Sequence, residues 1–229
     1  MDINSYKSHR KVLAAVDCII FGFDGNQLKA LLIKRGFEPH KGRWSLMGGF
    51  IHDDEDADRA AVRVLKKLTG MDNIYMEQLH TFSQVDRDSA GRVISIAYFA
   101  LINIADYSEQ LQAEHEAKWF ELSQLPELVF DHTVMVLKAQ ESLREKVARQ
   151  PIGFELLPSK FTLPQLQSLY EAIYETSLDT RNFSKRILAL GVLNKLDEKE
   201  KKNSRRGAFY YVFDSIKYKS LETNGVRFI

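Results

Sequence analysis

The chain has one cysteine, Cys18, in 229 residues, so no disulfide can form within it, and a disulfide-stapled scaffold is excluded. Lone thiol usage fits a reducing compartment, and a cytoplasmic location is expected. No apolar run approaches the roughly 18 residues that a membrane-spanning helix needs. The basic start precedes an apolar stretch, but that stretch contains Asp17 and lacks a small-residue cleavage site, so it reads as a buried strand rather than a signal peptide. His and Cys are not clustered at metal-ligand spacing, no nucleophile-base pair is visible, and no GxxxxGKS phosphate loop occurs. Internal repeats and low-complexity tracts are also missing.

What is present is an ordinary globular composition, 45% hydrophobic and 28% charged, at a length that favours two domains. The net charge of +1 conceals a split. Residues 159–229 hold 13 Lys and Arg against 8 Asp and Glu, and the remainder holds 19 against 23. The basic C-terminal part makes an anionic partner plausible, and DNA is the first to consider.

Strands are expected at VDCIIFGF (16–23) and LKALLIKR (28–35) around the DGNQ turn, then at WSLMGGF (44–50). From Asp56 the period changes, because Ala57, Ala60, Ala61, Val64, Leu65 and Leu68 recur at helical spacing until Gly70. MEQLHTFSQV, RVISIAYFALINI and KWFELSQL read as further strands, and 132–149 as a helix linking two halves. Pro151 and Pro158 break the pattern, which sets an expected boundary between 1–150 and 151–229. Beyond it, Thr162 and Pro164 open a helix, the ETSLD turn leads to the basic helix TRNFSKRILAL, and a charged tip precedes the alternating strand AFYYVF. Helix, turn, basic helix and hairpin are the order of a winged helix-turn-helix.

Two constellations carry chemistry. In the basic helix, Arg181, Asn182, Lys185 and Arg186 occupy the polar side, where Arg suits guanine edges, Asn adenine and Lys phosphate. Thr162, at the mouth of the preceding helix, and Arg205 and Arg206, at the hairpin tip, complete the expected DNA contacts. The other constellation is GGFIHDDEDADRAAVRVLKKLTGM (48–71), which resembles the Nudix box, G-x5-E-x7-R-E-U-x-E-E-x-G-U with U a bulky apolar residue. Gly49, Glu55, Arg63, Leu65, Gly70 and Met71 match its frame, whereas Val64, Lys67 and Leu68 stand where the family has metal-binding glutamates. Divalent cations that cleave a diphosphate need hard oxygen ligands, and Val, Leu and a cationic Lys supply none. The chain is therefore expected to have no catalytic residues, metal or cofactor. Asp53, Asp54, Asp56 and Asp58 read as helix-capping carboxylates, with a hydrolase using that run as an unorthodox metal site kept as an alternative.

Together with EQLHTFSQVDRDSAGRVISIAYFAL (77–101), FDH (130–132) and LLPSKFTLPQLQSLYEAIYETSLDTRNFSKRIL (156–188), the broken box makes the whole chain similar to bacterial Nudix-related transcriptional regulators. DCIIFGF, WSLMGGF, IYMEQ and PIGFELLP are most similar to their arabinose-responsive branch. The resemblance implies an α/β (α+β) Nudix-like α/β/α sandwich with a mixed sheet, followed by a winged helix. It also implies a homodimer on double-stranded operator DNA, a repressor of sugar utilisation released by L-arabinose. An ADP-ribose-responsive regulator of NAD metabolism is the alternative, and a basic adaptor for an acidic protein is a third class. A small ligand needs convergent polar groups and an aromatic wall. Lys34, Arg35, Arg43, Trp44, Glu77, Asp86, Arg87, Asp88, Tyr98, Asp131 and His132 are the candidates.

Overall fold

The structure is a computed structural model and describes residues 9–107, 116–149, 152–201 and 207–222. Its N-terminal part is a mixed sheet covered on both faces. Strand β1 (Leu13–Phe23) lies at its centre, antiparallel to β2 (Leu28–Lys34) and parallel to β6 (Val93–Asn103). β3 (Trp44–Ser45) and β7 (Lys118–Glu121) pair with β2, β4 (Met47–Phe50) pairs with β1, and β5 (Tyr75–Phe82) lies outside β6. The single expected strand at 44–50 is thus two short ones that serve different neighbours. A strand buried on both faces reads as a near-continuous apolar run, which Asp17 alone interrupts in β1, and β1 splits its side chains by parity. Val16, Cys18 and Ile20 enter one core, and Ile19, Phe21 and Phe23 enter the other.

Helix α1 (Ala57–Thr69) covers the first of these faces with Ala60, Ala61, Val64, Leu65 and Leu68. Its limits are chemical. Asp56 accepts the Arg59 N–H at 2.8 Å, and Gly70, at φ 68°, takes the left-handed conformation that closes the helix. The expected capping role of the acidic run is met at Asp56, while Asp58 instead accepts the Tyr98 hydroxyl at 2.6 Å.

Helix α2 (His132–Val147) covers the opposite face through Met135, Val136, Ala139, Leu143 and Val147. It ends slightly before the expected 149, and it is no free linker. The same cluster of buried side chains continues into α3 (Leu163–Tyr174) through Leu166, Leu169, Tyr170 and Ile173, and into α4 (Thr180–Ala189) through Phe183 and Ile187. Polar contacts reinforce this seam. Gln140 donates to Glu175 at 2.9 Å, Arg144 pairs with the same carboxylate at 2.7 Å, and Arg144 Nε donates to the Ile173 carbonyl at 2.7 Å. The expected boundary at 150/151 lies outside the described residues.

The C-terminal part has the expected grammar. A short strand β8 (Phe161–Thr162) precedes α3, and α4 is followed by β9 (Leu193–Glu200), β10 (Ala208–Phe213) and α5 (Ser215–Glu222). The three strands form an antiparallel sheet in the order β8-β10-β9. Thr162 and Gln165 make a reciprocal capping box at the start of α3. Between the helices, Glu171 accepts the Leu178 N–H at 2.8 Å and Asp179 accepts the Asn182 N–H at 2.8 Å, which fixes the angle at which α4 leaves the turn.

Candidate functional site

Two features of the fold gather most of the described candidate residues: a polar cavity beside the large sheet, and the outer surface of α4. The cavity begins with Asp17. Because β1 alternates, Asp17 projects to the α2 side, and it is buried. A buried carboxylate needs partners. Ser95 donates to its Oδ2 at 2.6 Å, Arg87 Nη2 lies 3.5 Å from that oxygen, and His132 Nε2 lies 3.7 Å from Oδ1. Room for the carboxylate comes from Gly48, where an added Cβ would sit 2.3 Å from Asp17 Oδ1 and 2.8 Å from the Val16 carbonyl.

His132, the first residue of α2, is buried as well. Its Nδ1 accepts the Leu46 backbone N–H at 3.1 Å, so the ring proton resides on Nε2, toward Asp17. Burial holds this imidazole below its usual range, against the opposing pull of Asp17 and Asp131. Arg87 is fixed by a two-pronged pair with Asp131, Nε to Oδ2 at 3.0 Å and Nη2 to Oδ1 at 2.7 Å. That commitment has a structural counterpart: Asp131 stands at the N-cap position of α2 but makes no side-chain capping bond.

Above this floor is a cavity of about 390 Å³, whose walls include Lys34, Arg35, Phe37, Lys67, Asp88 and Phe130. Arg35 lies over the Phe37 ring at 4.0 Å and 5.2 Å from the Phe130 ring, and its Nε donates to the Pro39 carbonyl at 2.6 Å. The cavity combines cations, acids and aromatic carbon.

Of the eleven candidate ligand residues, Lys34, Arg35, Arg87, Asp88 and His132 line this cavity. Asp86 and Asp131 border a neighbouring groove of about 990 Å³, and Arg87 borders both. The other four lie elsewhere for identifiable reasons. Arg43 pairs with Glu127 at 2.6 Å on the surface, and Glu77 pairs with Lys146 of α2. Trp44 packs edge-on against Phe120 at 4.8 Å. Tyr98 is buried on the α1 side, where burial and Asp58 push its hydroxyl pKa up. Sequence reasoning missed Asp17, Gly48, Phe37 and Phe130 as members. Only Asp17 left a signal, as a lone acid inside an apolar strand.

The box frame survives without its charges. Glu55 accepts from Arg63 at 3.0 and 2.5 Å and from the His52 N–H at 3.0 Å, and Arg63 also donates to the Phe50 carbonyl at 3.0 Å. The Arg63 hydrogen bonds, followed by that of His52, lower the Glu55 pKa to about 2. Val64 and Leu68 are 3% and 0% exposed, so two glutamate positions of the family have become core. Among the described residues, no group of three or more His, Cys, Asp or Glu is arranged to hold a metal.

On α4, Arg181, Asn182, Lys185 and Arg186 are all exposed, on the side opposite Phe183 and Ile187. Their spacing of one, four and five residues gathers them on one face. Thr162, expected among the DNA contacts, is only 4% exposed and its hydroxyl serves the capping box, so the role the structure gives its side chain is at the start of α3. Arg205 and Arg206 lie outside the described residues. On the hairpin, Lys195 and Lys199 stand over the Phe209 ring at 3.5 and 4.3 Å, adding two cations that sequence reasoning did not single out.

Comparison with known proteins adds to this geometry. A family model described as NUDIX domain matches residues 11–138, and one described as NrtR DNA-binding winged helix domain matches residues 153–213. The chain is 34% identical over 202 residues to the "ADPR responsive transcriptional repressor NtrR" of Acinetobacter baylyi, covering 86% of this chain and 81% of that protein. It is 37% identical over 135 residues to an ADP-ribose pyrophosphatase of Methanocaldococcus jannaschii, covering 59% of this chain and 77% of that one. Its fold matches the crystal structure of Shewanella oneidensis NrtR complexed with a 27mer DNA at a TM-score of 0.82, with 29% identity and coverage of 90% and 95%.

Proposed function

The chain belongs to the family of NrtR-type regulators, in which a Nudix domain precedes a winged helix, and on that footing we propose that it is an ADP-ribose-responsive transcriptional repressor. In this reading residues 1–150 hold the effector and residues 151–229 hold operator DNA, with two copies reading the two halves of a palindrome. Support comes first from the Acinetobacter repressor, whose similarity runs through both halves of the chain. The L-arabinose effector expected from sequence draws no support from these relatives, and the ADP-ribose alternative fits them better.

The single observation that carries the reading is the conversion of the box. With Val64 and Leu68 in the core and Lys67 at the cavity, the domain keeps a ligand-sized cavity but lacks the helix carboxylates that would hold Mg²⁺ against a diphosphate. A hydrolase reading is favoured by the similarity to the archaeal pyrophosphatase, which is confined to part of the chain. Release of AMP from ADP-ribose with Mg²⁺ or Mn²⁺ would establish that second reading.

The test is fluorescence anisotropy on the duplex upstream of the protein's own gene, with random duplex as control. Specific binding that weakens at least about tenfold with ADP-ribose, and not with L-arabinose, is the expected result. Release by L-arabinose with no response to ADP-ribose would overturn the proposal.

A further inference from the structure

We propose that Glu175, at the end of α3, is a positioning residue: through it α2 sets the orientation of the DNA-facing helix α4, and the effector's signal passes without Glu175 touching effector or DNA. The inference rests on the ADP-ribose reading and deepens it by naming where regulation crosses between the halves.

The backbone at Glu175 is unusual for its residue type. It closes α3 at φ 53° and ψ 38°, in the left-handed region where glycine is the common helix-ending residue and a Cβ costs energy. Strain of this kind persists where the surroundings fix the residue. Here α2 does so. Gln140 donates to Glu175 Oε1 at 2.9 Å, Arg144 Nη2 lies 2.7 Å from Oε2, and Arg144 Nε donates to the Ile173 carbonyl at 2.7 Å. Two side chains one turn apart on α2 thus grip the last turn of α3 at three points. Gln140 is only 9% exposed, so its amide needs a partner, whereas the Glu175 side chain is exposed and its ion pair adds little to stability. The grip fixes an orientation more than it holds the fold together.

It also holds α3 from one side. On the other side Glu175 borders a crevice of about 210 Å³, whose far wall includes Asn26 and Gln27 of the β1–β2 turn and Ser123 beyond β7. The end of α3 has room to shift toward the sheet once the grip changes. Past Glu175 the turn into α4 is closed internally, since Glu171 accepts the Leu178 N–H at 2.8 Å and Gln167 donates to the Leu178 carbonyl at 2.9 Å. Helix α3, the turn and α4 therefore form one piece, whose angle to the large sheet is set at the grip. In a dimer on two half-sites that angle governs the separation of the two α4 helices and leaves the DNA-facing surface of each unchanged. The first residue of α2 lies in the cavity floor, so a ligand that shifts α2 reaches α4 through this contact.

Glu175→Gly and Gln140→Leu test this in the full-length protein. The first removes the carboxylate and relieves the backbone, and the second removes the aligned donor while leaving Glu175 in place. Operator affinity is measured by anisotropy with and without saturating ADP-ribose, alongside affinity for a duplex with a single half-site and ADP-ribose affinity by isothermal titration. Wild-type operator affinity is expected to weaken at least about tenfold with ADP-ribose, and that of both variants less than about threefold. Half-site and ADP-ribose affinities are expected to stay within about twofold of wild type in both variants. A wild-type response in both variants overturns the inference alone. A loss of half-site or ADP-ribose affinity as large as the loss of response makes Glu175 merely structural and overturns it too. Wild-type protein that ADP-ribose does not release from the operator overturns the functional reading, and this inference with it.

Discussion

At Val64 and Leu68 the physical cost of changing side chain is opposite to that in a catalytic box. A glutamate placed in a core position must either ionise without a partner or stay protonated, at a cost of about 2 kcal/mol or more each. Val64→Glu and Leu68→Glu are therefore expected to lower the unfolding free energy by that amount, seen as lower urea midpoints, whereas Lys67→Glu, on the exposed side of α1, should lower them far less. Equal midpoints for all three would mean that the face had kept its polar character. His132 makes a second residue-scale prediction. Its folded pKa is depressed by burial, despite Asp17 and Asp131 and with Arg87 and Arg35 opposing protonation, so below the ordinary value of 6.5 the unfolded chain binds a proton that the native ring resists. Stability is then complete above 6.5 and declines as pH falls toward the folded pKa. Thermal midpoints should drop between pH 7 and 5.5 in the wild type, and the drop should shrink in His132→Gln. The Glu55 contribution runs over a lower window: full above its ordinary 4.5 and lost as pH falls to about 2, which separates the two groups in one titration.

Among the elements, the strongest sequence signals were local and the weakest were those that needed the third dimension. The DDEDAD run at the start of α1, Gly70 after it and Thr162 before α3 set their helix limits through bonds within four residues, so their spelling was enough, although the Gln165 half of the capping box was not singled out. The floor of the cavity was only partly legible. Arg87, Asp131 and His132 were named as candidates, but Asp17, 70 residues from Arg87, joins them only through the register of β1 with β6, and Gly48 matters only because Asp17 sits against it. Trp44 and Tyr98 were chosen for their residue type; Trp44 is instead half-buried against Phe120, and Tyr98 is buried on the α1 side. Helix α4 stands between these cases, since its amphipathic spacing predicted both the inward Phe183 and Ile187 and the outward basic row. Arg181→Ala is expected to relax sequence preference with a cost of about 1–3 kcal/mol on the best operator, while Lys185→Ala weakens all duplexes alike and reduces the salt slope by about 1. Anisotropy titrations across salt concentrations distinguish the two, and a uniform effect of Arg181→Ala would remove it from base readout.

Over the whole molecule, α2 is the element that belongs to both halves. Its first turn carries His132 into the floor of the cavity, and its later turns bury Ala139 and Leu143 in the cluster that also holds Leu166, Leu169 and Tyr170. Arg144 and Gln140 then hold Glu175, a residue at φ 53° that closes α3 just before the turn into α4. A change of side chain order near the cavity therefore meets, within one helix, the packing that supports the DNA-facing helix. Such continuity is a route for coupling only if ligand favours one arrangement of the two halves over another, and its size is bounded by that difference in affinity. The shared core has a more direct consequence. Two halves that bury side chains in one cluster cannot lose it separately, so calorimetry of the full chain should give a single transition. A ligand that binds only the native state at 100 times its Kd adds about 2.7 kcal/mol to that transition as a unit. ADP-ribose is accordingly expected to raise the midpoint seen by tryptophan fluorescence, from Trp44 and Trp119 in the large sheet, and by far-ultraviolet dichroism, which weighs the helices of both halves, to the same extent. If the fluorescence midpoint moves while part of the dichroic change stays in place, the winged helix melts on its own, and α2 joins the two halves without binding their stabilities together.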